Sequence, residues 1–364
     1  MKKVFITGGA GYVGSKLVPK LLNLGYEVTV LDLMIYGEKV LNDHEKLKKV
    51  KGDIRDEELL KKFLPGHDIL IHLACISNDP SFELNPTLGK SINLEAFEPL
   101  VKASMNNKIS QFIYASSSSV YGIKKEKNVT EDMSLEPLTD YSRFKADCEK
   151  ILNSYSSDNF VTTTIRPSTV CGYARRQRLD LVVNILTNHA FHNREIKVFG
   201  GDQLRPNVHI NDMVDSYLAI LDASFKKING QIFNVGFKNQ SVNELANDVK
   251  EIIGEDVKIV NTKSDDNRSY HVSSQKIKDI LNFETQYSVK DAVFDLKNAF
   301  EILNNNKTAL NIFSVNDAAR NPYFNMVEEN NKGFVSIVKS TSSIIPITRQ
   351  SAPKVYDLNA SFYW

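Results

Sequence analysis

The chain carries 364 residues, with 45 Lys+Arg against 44 Asp+Glu and a formal net charge of +1. Such a balance gives no bulk attraction to a polyanion or an anionic bilayer, so neither nucleic acid nor membrane is expected as a partner. At 42% hydrophobic and 24% charged residues the composition is globular, which excludes disorder and collagen-like repeats. Cys75, Cys148 and Cys171 are too widely spaced to clamp zinc; no metal is expected, and a reducing cytoplasm fits. No stretch reaches the roughly 18 apolar residues of a spanning helix, and Gly8, Gly9, Gly11 and Gly14 interrupt a start that otherwise looks like a signal peptide.

Val4-Phe5-Ile6 reads as a short strand, followed by glycines and then by Leu17, Val18, Leu21 and Leu22 at helical spacing. The helix stops at Gly25, and Val28 to Leu31 forms a second buried strand. Further strands are predicted at Ile69 to Leu73, Gln111 to Ala115 and Val161 to Ile165, each followed by room for a helix. Ile232 to Val235 reads as a returning strand, and Ser288 to Leu303 as a helix running into a polar linker at Asn304-Asn305-Asn306. Continuous apolar strands alternating with helices predict an α/β fold, a Rossmann-like doubly wound parallel sheet with a smaller C-terminal lobe and an appended, incomplete tail. The expected divisions are 1–165, 166–308 for a mainly substrate-binding lobe, and 310–364.

Gly8-Gly9-Ala10-Gly11-Tyr12-Val13-Gly14 lies between the first strand and the first helix. Glycine there lets the backbone turn sharply and approach a pyrophosphate held at the helix N-terminus. Asp32 closes the second strand at the offset expected of the acid that binds an adenosine ribose. It is followed by Leu33 and Met34 rather than arginine, so NAD is expected over NADP. Asp53, after a third strand, is a second acid that could reach the adenine amine or simply make a turn. Tyr141 and Lys145, four residues apart in a breaker-free segment, share one helical face. An ammonium beside a phenol, with a cationic nicotinamide ring nearby, favours phenolate and is expected to lower the tyrosine pKa toward the working pH. Ser116-Ser117-Ser118-Ser119 follows the predicted fourth strand and brings hydroxyls to the ligand-binding end of such a sheet.

Taken with His72-Leu73-Ala74, Val120-Tyr121-Gly122, Arg166-Pro167 and Arg205-Pro206-Asn207-Val208-His209, these motifs resemble, over about residues 1–308, an extended short-chain dehydrogenase/reductase of the nucleotide-sugar epimerase/dehydratase family. The resemblance implies an NAD-dependent enzyme acting on a nucleotide sugar, and a homodimer is an open expectation. By position, Tyr141 would be the acid/base, Lys145 its electrostatic partner and Ser117 the ligand of the sugar oxygen. Gly8, Gly11, Tyr12, Val13, Gly14, Asp32, Asp53, Ile54, Leu73, Ala74, Tyr141, Lys145 and Pro167 would line the cofactor. Arg178, Arg205 and Arg268 would hold the substrate, and His209 would be structural. The family's dehydratases resemble one another in an acid just before the position of Val120. Ser118 and Ser119 stand there, so the resemblance implies an epimerase working through a keto sugar, commonly at C4, in surface-glycan synthesis. A dehydrogenase releasing keto sugar and NADH, or a noncatalytic dinucleotide sensor, are the alternatives. Arg175, Arg176 and Arg178 resemble a branch acting on GDP-heptose-type sugars, and a solvated basic loop is the plain alternative.

From about Leu310 the motifs Ala319 to Glu328 and Thr348 to Ser361 resemble the middle of an acylneuraminate cytidylyltransferase. That family's nucleotide loop and later metal-binding aspartate have no counterpart here, which implies an inactive remnant. Metal-assisted nucleotidyl transfer needs anionic ligands at fixed geometry. The full chain, incubated with CTP, magnesium and a nonulosonic acid, should therefore form no CMP-sugar by chromatography.

Overall fold

The computed structural model describes residues 2–77, 79–126, 128–262, 269, 271–305 and four short tail strands. The chain divides into two compact units, Met1–Asn306 and Lys307–Trp364. In the first, strand and helix alternate as the apolar runs require. β1 (Lys3–Thr7) leads to α1 (Gly14–Asn23), and β2 (Glu27–Asp32) reaches β3 (Leu47–Lys51) through one 3-10 turn at Glu38–Val40. α2 (Glu57–Phe63) then precedes β4 (Ile69–His72). The short helices α3 (Asp79–Leu84) and α4 (Pro86–Lys90) and the longer α5 (Phe97–Asn106) follow, then β5 (Gln111–Ala115), α6 (Asp140–Ser154) and β6 (Val161–Pro167).

The second half supplies β7 (Thr169–Cys171), α7 (Val182–Asn193), β8 (Glu195–Phe199), β9 (Leu204–His209), α8 (Ile210–Asp222) and α9 (Phe225–Ile228). It continues with β10 (Gln231–Val235), β11 (Lys238–Ser241), α10 (Val242–Ile253), β12 (Lys258–Thr262), α11 (Gln275–Leu281) and α12 (Val289–Asn305). β10 returns to the edge of β6, giving a seven-stranded sheet in the order β10-β6-β5-β4-β1-β2-β3 with every pair parallel. The order reverses between β1 and β4, which opens the crevice at the carboxyl ends where such sheets bind ligands.

Strand alternation sorts the core into two layers. Val4, Ile6, Ile69, Ile71 and Ile113 pack with Leu17, Val18 and Leu21 of α1 and Met213, Val214 and Tyr217 of α8. Phe5, Leu70, Phe112 and Tyr114 face the other way, onto Leu60 of α2, Phe97 and Leu100 of α5, and Cys148 and Leu152 of α6. A separate core joins α7, α10 and α12 through Val183, Leu186, Leu245, Val249, Ala292 and Val293. It accompanies the small sheets β11-β9-β7 and β12-β8. In the tail unit, β13 (Val315–Asp317) pairs antiparallel with β16 (Tyr356–Leu358), and β14 (Val327–Glu329) with β15 (Val335–Ile337).

Two glycines are dictated by close approach. A Cβ on Gly8, whose φ is +74°, would stand 2.5 Å from the Ala74 nitrogen, and one on Gly14 would stand 2.4 Å from the Gly9 carbonyl oxygen. The first lets β1 end against the segment leaving β4; the second lets α1 begin directly on the loop. α6 starts with equal definition. Thr139 Oγ1 accepts from the Ser142 N–H at 3.3 Å while Ser142 Oγ accepts from the Thr139 N–H at 3.1 Å, a reciprocal capping box.

Candidate active site

The glycine loop and Asp32 form one end of the site. Asp32 accepts from the Ala10 N–H at 3.0 Å and from the Met34 N–H at 2.8 Å, which fixes the carboxylate across the loop. Burial raises the Asp32 pKa above the ordinary carboxylate value, against the two N–H donors and the charge of Arg176. A Cβ on Gly11 would meet only the Gly8 carbonyl oxygen, at 3.1 Å, so the loop's outer face is bare and a side chain there would fill the cradle. A dinucleotide fits these residues, with pyrophosphate on the loop and ribose on Asp32. Val13 opens α1 as its N-cap, and Leu73 donates its N–H to the Thr7 carbonyl at 2.9 Å, which sets Leu73-Ala74 beside Gly8. Ile54 is buried under the sheet edge, and Pro167 ends β6 opposite Val235.

Two cofactor residues expected from the sequence have their side chains engaged elsewhere. Tyr12 Oη donates to the Gly172 carbonyl at 2.5 Å and accepts from Asn184 Nδ2 at 3.1 Å, so the ring joins the loop to the second half of the chain. Asp53 accepts from Arg55 Nε at 3.0 Å and Nη2 at 2.6 Å, and this hydrogen-bonded pairing holds its carboxyl below the usual range.

The other end is built on α6. Tyr141, Lys145 and Glu149 repeat every four residues and form one stripe. Lys145 Nζ donates to the Ala115 carbonyl at 2.6 Å and stands 4.9 Å from the Tyr114 ring centroid and 5.9 Å from that of Tyr141. Ser117, two residues beyond Ala115, shares a hydrogen bond with Ser119 Oγ at 2.9 Å, and its hydroxyl acts to lower the Tyr141 phenol pKa. The protein's own groups hold the phenol pKa above its ordinary value. Burial raises it, and the charges of Lys145 and Arg178 offset only part of that rise. Burial pulls Lys145 down, but Cys75 and Tyr141 more than restore it.

Glu149 was not singled out from sequence, though its spacing after Lys145 carried the signal. Its carboxylate pairs in the interior with Arg166, whose Nη2 lies 2.6 Å away, and accepts from the Ser116 hydroxyl. Arg166 Nη1 also donates to Tyr121 Oη at 2.7 Å, and that phenol donates to Asn234 Oδ1 at 2.7 Å. Cys75, directly after Leu73-Ala74, interacts with both Tyr141 and Lys145. The segment from Leu73 to Cys75 thus starts beside the glycine loop, where Ala74 meets Gly8.

A strap over 172–181 crosses the same ground. Arg178 is bidentate to Asp180, at 3.1 and 2.5 Å, and donates to Ser77 Oγ at 3.1 Å, with its charge acting on Tyr141. Arg175 donates to Asn42 and to the Lys39 carbonyl. Arg205 lies on β9 and donates to the Leu204 carbonyl at 3.1 Å. Arg268 lies outside the described residues. His209 caps α8, accepting from the Asn211 N–H at 3.1 Å, and Cys171 is buried with its thiol pushed up by desolvation.

The family model "NAD dependent epimerase/dehydratase family" matches residues 4–236. The chain belongs to this family. A UDP-glucose 4-epimerase of Lactobacillus helveticus is 27% identical over 80% of this chain and 94% of its own length. The low-salt glycan biosynthesis protein Agl12 of Haloferax volcanii is 26% identical over 80% and 96%. Among solved structures, MoeE5 in complex with UDP-glucuronic acid and NAD superposes with a TM-score of 0.73 at 25% identity, covering 83% of this chain and all of that one. The chain is thus an enzyme of NAD-dependent nucleotide-sugar chemistry, and no helix among the described residues is long and apolar enough to cross a membrane.

His72 lies beneath the site. It hydrogen-bonds Thr7 Oγ1 at 2.6 Å and stacks on Tyr114, and burial with the nearby Lys145 charge pushes it down to about 3. The unfolded chain, with an ordinary value of 6.5, takes up this proton first. Stability from the neutral ring is therefore complete above 6.5 and falls as pH drops toward 3, by about 1.4 kcal/mol per unit. Thermal melting between pH 7.5 and 5.5 should show His72→Asn with a shallower acid slope than the parent, by one proton's share.

Proposed function

We propose that the protein is an NAD-dependent nucleotide-sugar epimerase that works through a keto sugar, commonly at C4, in surface-glycan synthesis. What carries this reading is the convergence of Ser117, Tyr141 and Lys145 at the carboxyl end of the sheet, one short segment from the glycine loop. When bound, NAD supplies reversible hydride chemistry at a ring carbon. Tyr141 takes the proton of the ring hydroxyl as the carbonyl forms and returns it as the carbonyl is reduced. Ser117 donates to the sugar oxygen, and the Lys145 ammonium stabilises the phenolate against the burial that opposes it. A cationic nicotinamide beside Tyr141 would add to that stabilisation, so the phenol is expected to titrate lower in the loaded enzyme than burial alone allows. Ser118 and Ser119, in place of an acid, weigh against a dehydratase. The glycan role draws support from the relative named for glycan biosynthesis.

The test is incubation with a panel of UDP-, dTDP- and GDP-sugars, with product mass and configuration determined by mass spectrometry and NMR. Unchanged mass with an inverted centre is expected. Loss of two hydrogens with NADH accumulating would instead identify a dehydrogenase. Tyr141→Phe should lower turnover about a hundredfold or more, the usual worth of a positioned acid/base, while calorimetry shows NAD binding retained. Comparable turnover in the variant would sink the assignment.

A further inference from the structure

Leu33, Met34 and Ile35 supply no cation to the ribose-binding acid, yet one is delivered there from a remote part of the chain. Arg176 is 8% exposed, its guanidinium carbon lies 3.9 Å from the Tyr36 ring centroid, and its charge acts on the Asp32 carboxylate. Its backbone N–H donates to Ser15 Oγ in the first turn of α1 at 3.4 Å. The preceding Arg175 is laced to Asn42 and to the Lys39 carbonyl. The strap is thus tied down on both sides of Asp32, by α1 and by the segment that follows β2. Tyr36 holds the guanidinium over its ring, and Arg176 Nη1 donates to the Gln177 carbonyl at 3.1 Å, so the charge is fixed in place.

Asp32 alone repels a 2′-phosphate and accepts from ribose hydroxyls, which selects NAD. A fixed guanidinium beside it does the opposite, because its planar donors match phosphate oxygens and its charge offsets that of the acid. We propose that Arg176 is a second cofactor-specificity residue, which opposes Asp32 at the ribose 2′ position and keeps NADP binding closer to NAD binding than Asp32 alone would allow. NAD remains preferred, since Asp32 is held by two backbone N–H groups and keeps its ribose interaction. The inference rests on the cofactor site and not on the epimerase reading, so either can fail without the other.

The experiment is calorimetric titration of the full chain with NAD and with NADP. Arg176→Met keeps an apolar stem over Tyr36 and removes the charge. It should weaken NADP about tenfold or more, the cost of losing a charge-assisted hydrogen bond, and change NAD affinity by less than about threefold. Equal weakening of both cofactors would make Arg176 a structural tie and overturn the proposal, as would an unchanged ratio. Asp32→Asn gives an independent reading should Arg176→Met fail to fold. With Arg176 unopposed, this variant should bind NADP more tightly than NAD, and a persistent NAD preference there would equally overturn it.

Discussion

The geometry of the candidate site depends on one buried ion pair. Glu149 and Arg166 have side chains only 4% and 3% exposed, and each is fully engaged: Glu149 by Arg166 and Ser116, Arg166 by Glu149, Tyr121 and the Glu131 carbonyl. Removing one partner of such a pair strands the other charge in a poorly solvated interior, at a cost of about 3–5 kcal/mol. The pair therefore locks three elements together at one depth. Glu149 belongs to α6, Arg166 to β6, and Ser116 follows β5. One helical turn before Glu149, Lys145 is drawn to the Ala115 carbonyl. One residue after Ser116, Ser117 is fixed by its hydrogen bond to the Ser119 hydroxyl. The hydroxyls of the candidate site are thus placed by a network buried behind them.

Much of this arrangement was readable because it is local. Apolar runs at strand length, helical spacing between them and glycines at the first turn are consequences of backbone geometry, and each strand read from Val4 to Ile165 forms within a residue or two of its expected bounds. The i,i+4 relation of Tyr141 and Lys145 follows from helix pitch, and Glu149 was available by the same rule. Asp53 was also locally legible: Arg55, two residues on, takes both carboxylate oxygens.

What could not be read depends on chain segments far apart in sequence. Nothing near Tyr12 indicates that its hydroxyl is bound to Gly172, and nothing near Asp32 indicates Arg176. The desolvation of Tyr141 was unreadable for a related reason. Spacing reveals the favourable neighbour, Lys145, whereas the desolvation that outweighs it is a property of the assembled interior. A cation placed four residues away is written in the helix; the loss of water around it is not.

The strap at 172–181 brings the second half of the chain to the candidate site. It is joined to the glycine loop through Tyr12 and Gly172, to the ribose side through Arg175 and Asn42, and to the phenol side through Arg178 and Ser77. Each tie crosses from the second half of the chain to a different part of the candidate site, so the strap is held at three separated points rather than hinged at one. A side chain it carries, such as Arg178 with its charge on Tyr141, therefore keeps its place relative to α6, because several contacts would have to open before the strap could move.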